Sequence, residues 1–325
     1  MRRTRILGTG KAVPAKVLTN YDLEKMVATS DAWIVERSGI HERRILEEGR
    51  TTSDLAAEAG RAALAAAELS ASSLDAIIVA TVTPDSPLPA CAVSVQQKLG
   101  ATCAAFDIAA ACAGFIYGLT VADALIQTGG FQRVLVIGVE VLSRVIDWTD
   151  RNTCVLFGDG AGAAVLGPSD GDRGILSTHL FADGAGAALL HIPGGGVTIP
   201  ATASSVEARQ HFVKMNGKGV FVHAVRNISR ASLTALERSG FTAADVDWVI
   251  PHQANLRILE AVAEKTHIPL AKFYLNIHKY GNTSSASIPI ALDEAVRAGA
   301  IKPGQLLLLS ALGAGLSWGS ALVRW

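Results

Sequence analysis

The strongest constraint on the fold is a faint internal repeat. The stretch SDLAAEAGRAALAAAELSASSLDAIIVATVTP reads as a helix, a short turn and an apolar strand, and AVRNISRASLTALERSGFTAADVDWVIPHQAN reads the same way. Placing Asp75 on Asp247 sets an offset of 172 (247 − 75). That offset also carries Val134, at the head of VLVIGV, onto Leu306, in QLLLLSAL. Both halves close on glycine-punctuated apolar segments, GDGAGAAVLG and GAGLSWGSALVRW. Strands alternating with helices predict an α/β protein with parallel sheets under helical cover. Two such halves, 1–170 and 171–325, are expected to pack together. The join lies between residues 167 and 214, where GPSDGDRG and IPGGGVTIPATASS have loop composition.

Composition narrows the function. The 325 residues are 50% hydrophobic and 18% charged, below the roughly 25% charge of ordinary soluble domains. A large core and an apolar oligomer interface are expected. The 29 basic and 29 acidic residues cancel, which speaks against nucleic acid as a partner. The longest apolar-rich run, residues 108–122, is short for a membrane span, so no membrane insertion is expected. The four cysteines, Cys91, Cys103, Cys112 and Cys154, have no metal-ligand spacing. They read as reduced thiols of a cytoplasmic protein with no metal.

Three segments carry chemistry. In DIAAACAGFIYG, Cys112 sits among alanines and glycines between a strand and a helix. A helix N-terminus favours thiolate and is expected to lower its pKa; a buried structural cysteine is the plain alternative. The offset of 172 places Cys112 on Ser284, in the second small-residue run YGNTSSASIP, so the two runs should meet near a pseudo-two-fold axis. In VIPHQAN, His252 follows directly on a strand, where open α/β sheets place ligands. In KYGNTSSASIP, Asn282 could cap a helix or aim its amide at a substrate carbonyl. A thiolate nucleophile with two neutral donors suits a thioester whose enolate must be stabilised.

These segments give the chain a family resemblance. GTGKAVPAKVLTNYDLEKMVATSDAWIVERSGIHERRI, DIAAACAGF, GDGAGAAVL, PHQAN, YGNTSSASIP and WGSALVRW, in this order, resemble β-ketoacyl-acyl-carrier-protein synthase III over essentially the whole chain. The resemblance implies a thiolase-like five-layered αβαβα fold of two duplicated halves, and a homodimer. It implies decarboxylative condensation of an acyl-coenzyme A primer with a malonyl carrier protein, initiating fatty-acid synthesis, with no cofactor. Cys112 would be acylated, and His252 and Asn282 would hold the malonyl thioester. The backbone N–H groups of Cys112 and Ala314 would form the oxyanion hole. Ala314 stands where some members carry glycine, so its backbone must avoid glycine-only angles. Trp33, Arg37, Arg151, Gly217, Phe221, Ala254 and Asn255 would bind coenzyme A, and Arg257 and Lys265 would dock the acidic carrier protein. Glu264 beside Lys265, and Val222 where a lysine can occur, predict a weakened patch. Leu88 would help close the partner's acyl pocket.

Other readings remain open at this point. A thiolase would need a second cysteine near the C-terminus, but the last is Cys154. A polyketide starter enzyme or an acyltransferase paralogue could carry the same triad. A silent assembly partner would usually lack Cys112.

Overall fold

The computed structural model describes residues 3–169 and 171–325. Met1, Arg2 and Asp170, where the expected join falls, lie outside them.

A five-stranded sheet takes its strands from the first half: β1 (Arg3–Ala12), β2 (Ala76–Ala80), β3 (Ala104–Ile108), β4 (Val134–Glu140) and β5 (Gly160–Ser169), in the order β1-β5-β4-β2-β3. A four-stranded sheet comes from the second: β6 (Gly174–Ala182), β7 (Trp248–Pro251), β8 (Leu306–Gly313) and β9 (Ser317–Arg324), in the order β7-β8-β9-β6. Read from the other edge, the second order is β6-β9-β8-β7, the first order without its last strand. The offset of 172 takes β2 onto β7 (76 + 172 = 248) and β4 onto β8 (134 + 172 = 306). The position matching β3 holds a short helix, Ile277–Tyr280, and only a single bridge, Val249 to Phe273, marks the missing strand. Both sheets are mixed. β2 runs parallel to β3 and β4, and β7 to β8, while β1, β5, β6 and β9 pair antiparallel.

Seven helices matter for the site: α1 (Asp31–Ser38), α2 (Thr52–Ala66), α3 (Cys91–Leu99), α4 (Gly114–Gln127), α5 (Gly217–Arg238), α6 (Leu256–Thr266) and α7 (Ser287–Arg297). Strand alternation sorts the layers, because successive side chains face opposite ways. Ile77, Val79, Leu135 and Ile137 pack with Leu55, Ala59 and Val95 of α2 and α3. Ile78, Val134 and Val136 face inward to Phe115, Ile116 and Leu119 of α4 and Leu292 of α7. Leu307 and Leu309 enter that same central core from the second sheet. Leu306 and Leu308 face away, to Ile228 and Leu236 of α5 and Leu259 of α6. The result is five layers, αβαβα, as the resemblance implied.

Small residues let the two halves meet. The 3-10 turn Ala111–Ala113 opens α4 and the turn Ser284–Ala286 opens α7, and the two turns touch. A Cβ on Gly138 of β4 would lie 2.2 Å from the Ser285 carbonyl oxygen. A Cβ on Gly313 of β8 would lie 2.5 Å from the Cys112 nitrogen. Each turn therefore packs on the central strand of the other half, and both glycines are required by close approach. One expectation needs correction. Ala111 and Ser284 share the left-handed conformation, with φ of 46° and 50°, so the turns match at 173 (284 − 111). The counterpart of Cys112 is Ser285, not Ser284. One extra residue enters the second half between β7 and its turn.

Candidate active site

Strand ends set Cys112 and His252, and the short helix Ile277–Tyr280 leads into Asn282. Cys112 lies in the turn after β3, His252 directly follows β7, and Asn282 precedes the turn into α7. All three line one narrow cavity of about 120 Å³, together with Gly217, Phe221, Ala254 and Asn255. Cys112 also lines a second, more apolar cavity of about 310 Å³ with Leu142, Phe157, Val213, Ser284 and Ala314. The cysteine thus stands where a slender passage meets an apolar chamber. That geometry suits a long thioester whose acyl group enters the chamber.

The thiol does not titrate as the helix argument predicted. Burial pushes Cys112 up to about 12, with the Glu140 carboxylate adding to the rise and the Ser284 hydroxyl opposing it. In the buried site, desolvation outweighs the helix N-terminus. Burial raises the other three thiols as well, and all four are free. Position in the cavity, rather than acidity, distinguishes Cys112.

His252 is buried, and desolvation lowers its pKa to about 3. The ring is therefore neutral at ordinary pH. Its Nδ1 lies 2.7 Å from Ser287 Oγ, which also lies 2.8 Å from the Ser284 carbonyl oxygen. The hydroxyl has one proton for two acceptors. The Ser284 carbonyl accepts that proton; in the tautomer whose hydrogen is on Nε2, the imidazole can donate to a ligand. Gln253 holds the loop. Its amide donates to the carbonyls of Pro251 and Tyr274, and its oxygen accepts from the N–H groups of Asn276 and Ile277.

Asn282 has its orientation fixed by chemistry. Its Oδ1 accepts from the Ser284 N–H at 2.9 Å. A backbone N–H can only donate, so the oxygen faces the turn and the NH₂ remains to donate. The backbone is clamped too. Asn282 N–H donates to the Leu156 carbonyl at 2.8 Å, and its own carbonyl accepts from Gly158 at 3.0 Å. The oxygen end of the amide thus holds the turn, and the NH₂ end is left to donate.

Ala314 lies in the chamber wall beside Cys112. It is not among the residues with positive φ, whereas Gly315 takes φ of 133°. The glycine-only geometry falls one residue later, so alanine fits at 314. Trp33 on α1 lies beneath two guanidiniums, Arg37 at 4.9 Å and Arg151 at 4.8 Å from the ring centroid. Asn255 donates to the Arg37 carbonyl at 2.9 Å, tying α1 to the start of α6. At the cavity mouth Arg37, Lys218 and Arg257 converge with Gly217, Phe221, Val222 and Asn255. Lys265 stands two turns down α6, outside that mouth, with Glu260 and Glu264 also exposed on the helix. Leu88 is 84% exposed and lines neither cavity of this chain.

Sequence reading missed Lys218, Gln253, Ser287 and Glu140. Lys218 and Gln253 were signalled only by adjacency to Gly217 and His252. Glu140 was signalled by one acid at the end of an apolar strand. Among the described residues, no cluster of His, Cys, Asp or Glu could hold a metal ion. Among the described residues, no helix is long and apolar enough to cross a membrane.

Comparison with known proteins agrees with this geometry. Residues 106–184 match the family described as 3-oxoacyl-[acyl-carrier-protein] synthase III, and residues 236–325 match its C-terminal region. The β-ketoacyl-[acyl-carrier-protein] synthase III of Caldanaerobacter subterraneus is 53% identical over 98% of this chain and 97% of its own. The chain belongs to the β-ketoacyl-acyl-carrier-protein synthase III family. Its members are acyltransferases, the condensing enzymes that initiate fatty-acid synthesis. The Aquifex aeolicus 3-oxoacyl-[acyl-carrier-protein] synthase III superposes with a TM-score of 0.92 at 48% identity, covering 99% of this chain and 100% of that one. The priming β-ketosynthase of the R1128 polyketide pathway also reaches 0.92, at 37% identity, covering 99% and 97%. The shared fold does not separate these two activities, but the higher identities favour fatty-acid initiation.

Proposed function

We propose that this chain joins an acyl-coenzyme A primer to malonyl carrier protein, with loss of CO₂, through an acyl-Cys112 intermediate. The observation carrying this reading is the junction at Cys112: a slender passage holding His252 and Asn282 on one side and an apolar chamber on the other.

In the first half-reaction Cys112 sulfur attacks the primer carbonyl. The N–H groups of Cys112 and Ala314 receive the developing oxyanion, and coenzyme A leaves with a proton. In the second, the malonyl thioester enters beside His252 and Asn282. Asn282 donates from its NH₂ and His252 from Nε2–H to the thioester oxygen. Both donors are neutral, so they strengthen as negative charge builds on the enolate. The C–C bond to CO₂ breaks, and its electron pair becomes the enolate. The enolate carbon attacks acyl-Cys112, and the thiolate leaves. A thiol, an imidazole and an amide suffice for these steps, so no cofactor is invoked.

Coenzyme A is read as lying along the mouth, with Arg37 and Lys218 near its phosphates. Arg151 lies over Trp33 and must swing aside if adenine is to stack there. Arg257 is the cation of α6 nearest the mouth, and an acidic carrier protein is read as docking around it. Dimerisation is supported by the free edge of β3. Phe106, Val93 and Leu88 are exposed there, and an apolar strand edge of this kind is covered in stable proteins. Leu88 is read as reaching the partner's chamber, the halves 1–170 and 171–325 as the duplicated units, and the cytoplasm as the site of action.

The test is intact-protein mass spectrometry after mixing with acetyl-, isobutyryl- and longer acyl-coenzyme A. One acyl adduct, absent in Cys112→Ser, supports the reading. An adduct that survives the substitution would remove Cys112 from its role.

A further inference from the structure

Glu140 ends β4 inside the molecule, fully buried. Its Oε2 accepts from Thr83 Oγ1 at 2.5 Å and Thr81 Oγ1 at 3.2 Å. The Val82 N–H lies 3.2 Å from both oxygens. Its Oε1 faces the hydroxyls of Ser284 and Ser285, each at 3.3 Å. Among the described residues no lysine or arginine pairs with it. A buried carboxyl held only by neutral donors is costly to keep unless something uses it.

The two serines are not equivalent. Ser285 Oγ has a closer acceptor, the Ala80 carbonyl at 2.8 Å. Ser284 directs its hydroxyl at Oε1. Its left-handed backbone and the bond from its N–H to Asn282 Oδ1 fix it there. Ser284 and Cys112 line the same chamber wall, and the turns that carry them touch. The Ser284 hydroxyl therefore joins the wall of the Cys112 chamber to the buried carboxyl.

We propose that Glu140 takes up the Cys112 thiol proton through the Ser284 hydroxyl during acyl transfer, and returns it to the Cys112 sulfur when the condensation step expels that sulfur from the acyl-enzyme. The proposal rests on Cys112 being the acylated nucleophile. The balance closes. The S–H bond breaks as the S–C bond to the primer forms, one proton moves from sulfur to Ser284 Oγ, and the Ser284 proton moves to Glu140. Coenzyme A leaves as a thiolate and takes its proton from water in the passage; when the enolate displaces the Cys112 sulfur, the relay run backwards returns the proton from Glu140 through Ser284 to that sulfur. No free thiolate has to accumulate, which accommodates a thiol held far above neutrality. Burial pushes the Glu140 carboxyl up to about 7, against the pull of its donors, which sets its ionisation where a base works best at neutral pH. The titratable groups that feel its charge are Cys112, from the turn before α4, and Cys91, from α3. The 81–83 loop and the 284–286 turn present only hydroxyls and an amide.

A bystander carboxylate makes the opposite prediction, because its charge raises the thiol pKa and hinders attack. Removing it would then speed acylation. The experiment is single-turnover acylation by a panel of acyl-coenzyme A thioesters, followed by quenched intact mass from pH 5.5 to 9. Wild type, Glu140→Gln, Ser284→Ala, the double variant and Cys112→Ser are compared. Expected are losses of about 10²-fold in each single variant at neutral pH, no further loss in the double, and disappearance of the acid limb near pH 7. Acylation by Glu140→Gln as fast as wild type or faster would overturn the proposal, as would losses that multiply in the double variant. If Glu140→Gln fails to fold, Ser284→Ala decides alone: an unchanged rate and acid limb overturn the relay. Absence of any adduct on wild type would instead overturn the assignment of Cys112, and the relay with it.

Discussion

At the residue scale, the two half-reactions are carried by different groups and should come apart on substitution. Cys112→Ser should abolish the acyl adduct, because a hydroxyl is a far weaker nucleophile in a site built for sulfur. Asn282→Ala removes the proposed enolate donor and leaves Cys112 and the Ala314 N–H in place. Decarboxylation of malonyl carrier protein should fall about 10²- to 10³-fold, while acylation changes only several-fold. Release of CO₂ measured beside adduct formation checks this, and decarboxylation intact in Asn282→Ala would overturn its role. The three polar side chains were legible in the sequence because each follows a readable strand or precedes a readable helix. Their chemistry was less so. The thiol pKa was misjudged because helix position can be read from a pattern, whereas the burial that raises Cys112 arises only in the packed fold, and the Glu140 charge that adds to it lies 28 residues away (140 − 112). Ser287 was invisible as the partner of His252, since 35 residues separate them.

At the element scale, glycines and surface charges decide how the site is presented. Gly313 ends β8, and a Cβ there would strike the Cys112 nitrogen at 2.5 Å. Gly313→Ala should push the Cys112 turn away from Ala314, widen the proposed oxyanion hole and reduce acylation at least tenfold, with a stability cost of about 1–3 kcal/mol for the overpacking. Circular dichroism and adduct formation separate the two effects. On α6, the exposed charges Arg257, Glu260, Glu264 and Lys265 sum to zero, so the helix as a whole does not attract an acid. The cations at the mouth do. Arg257→Ala and Lys218→Ala should raise the KM for malonyl carrier protein several-fold and flatten its salt dependence, whereas Lys265→Ala should do little. Equal effects at Lys265 would move the docking surface down the helix. The repeated βα units were legible because alternation and turn residues are local. The extra residue after β7, and the loss of a strand opposite β3, were not, because an offset read from three anchors cannot register an insertion between them.

At the scale of the whole molecule, Glu140 and His252 couple stability to pH in opposite senses. His252 has its pKa lowered from 6.5 to about 3. Between those values the unfolded chain binds more protons than the folded one, so this group makes stability fall as pH falls through the window. Glu140 has its pKa raised from 4.5 to about 7. Between those values the folded chain binds more protons, so this group makes stability rise as pH falls. From pH 6.5 to 4.5 the two slopes oppose. Below 4.5 Glu140 no longer opposes His252, and carboxyls with lowered pKa add to the loss, among them Asp54, which Lys98 holds near 2, and Asp147, which Arg209 holds lower still. Thermal melts across pH 4–7.5 should therefore be nearly flat for wild type down to about pH 4.5 and then drop. Glu140→Gln removes the opposing slope, and its Tm should begin to fall below pH 6.5. His252→Gln leaves the Glu140 slope alone, and its Tm should rise as pH is lowered from 7 to 4.5. Parallel curves for the three proteins would mean that neither side chain is desolvated to the degree its surroundings imply.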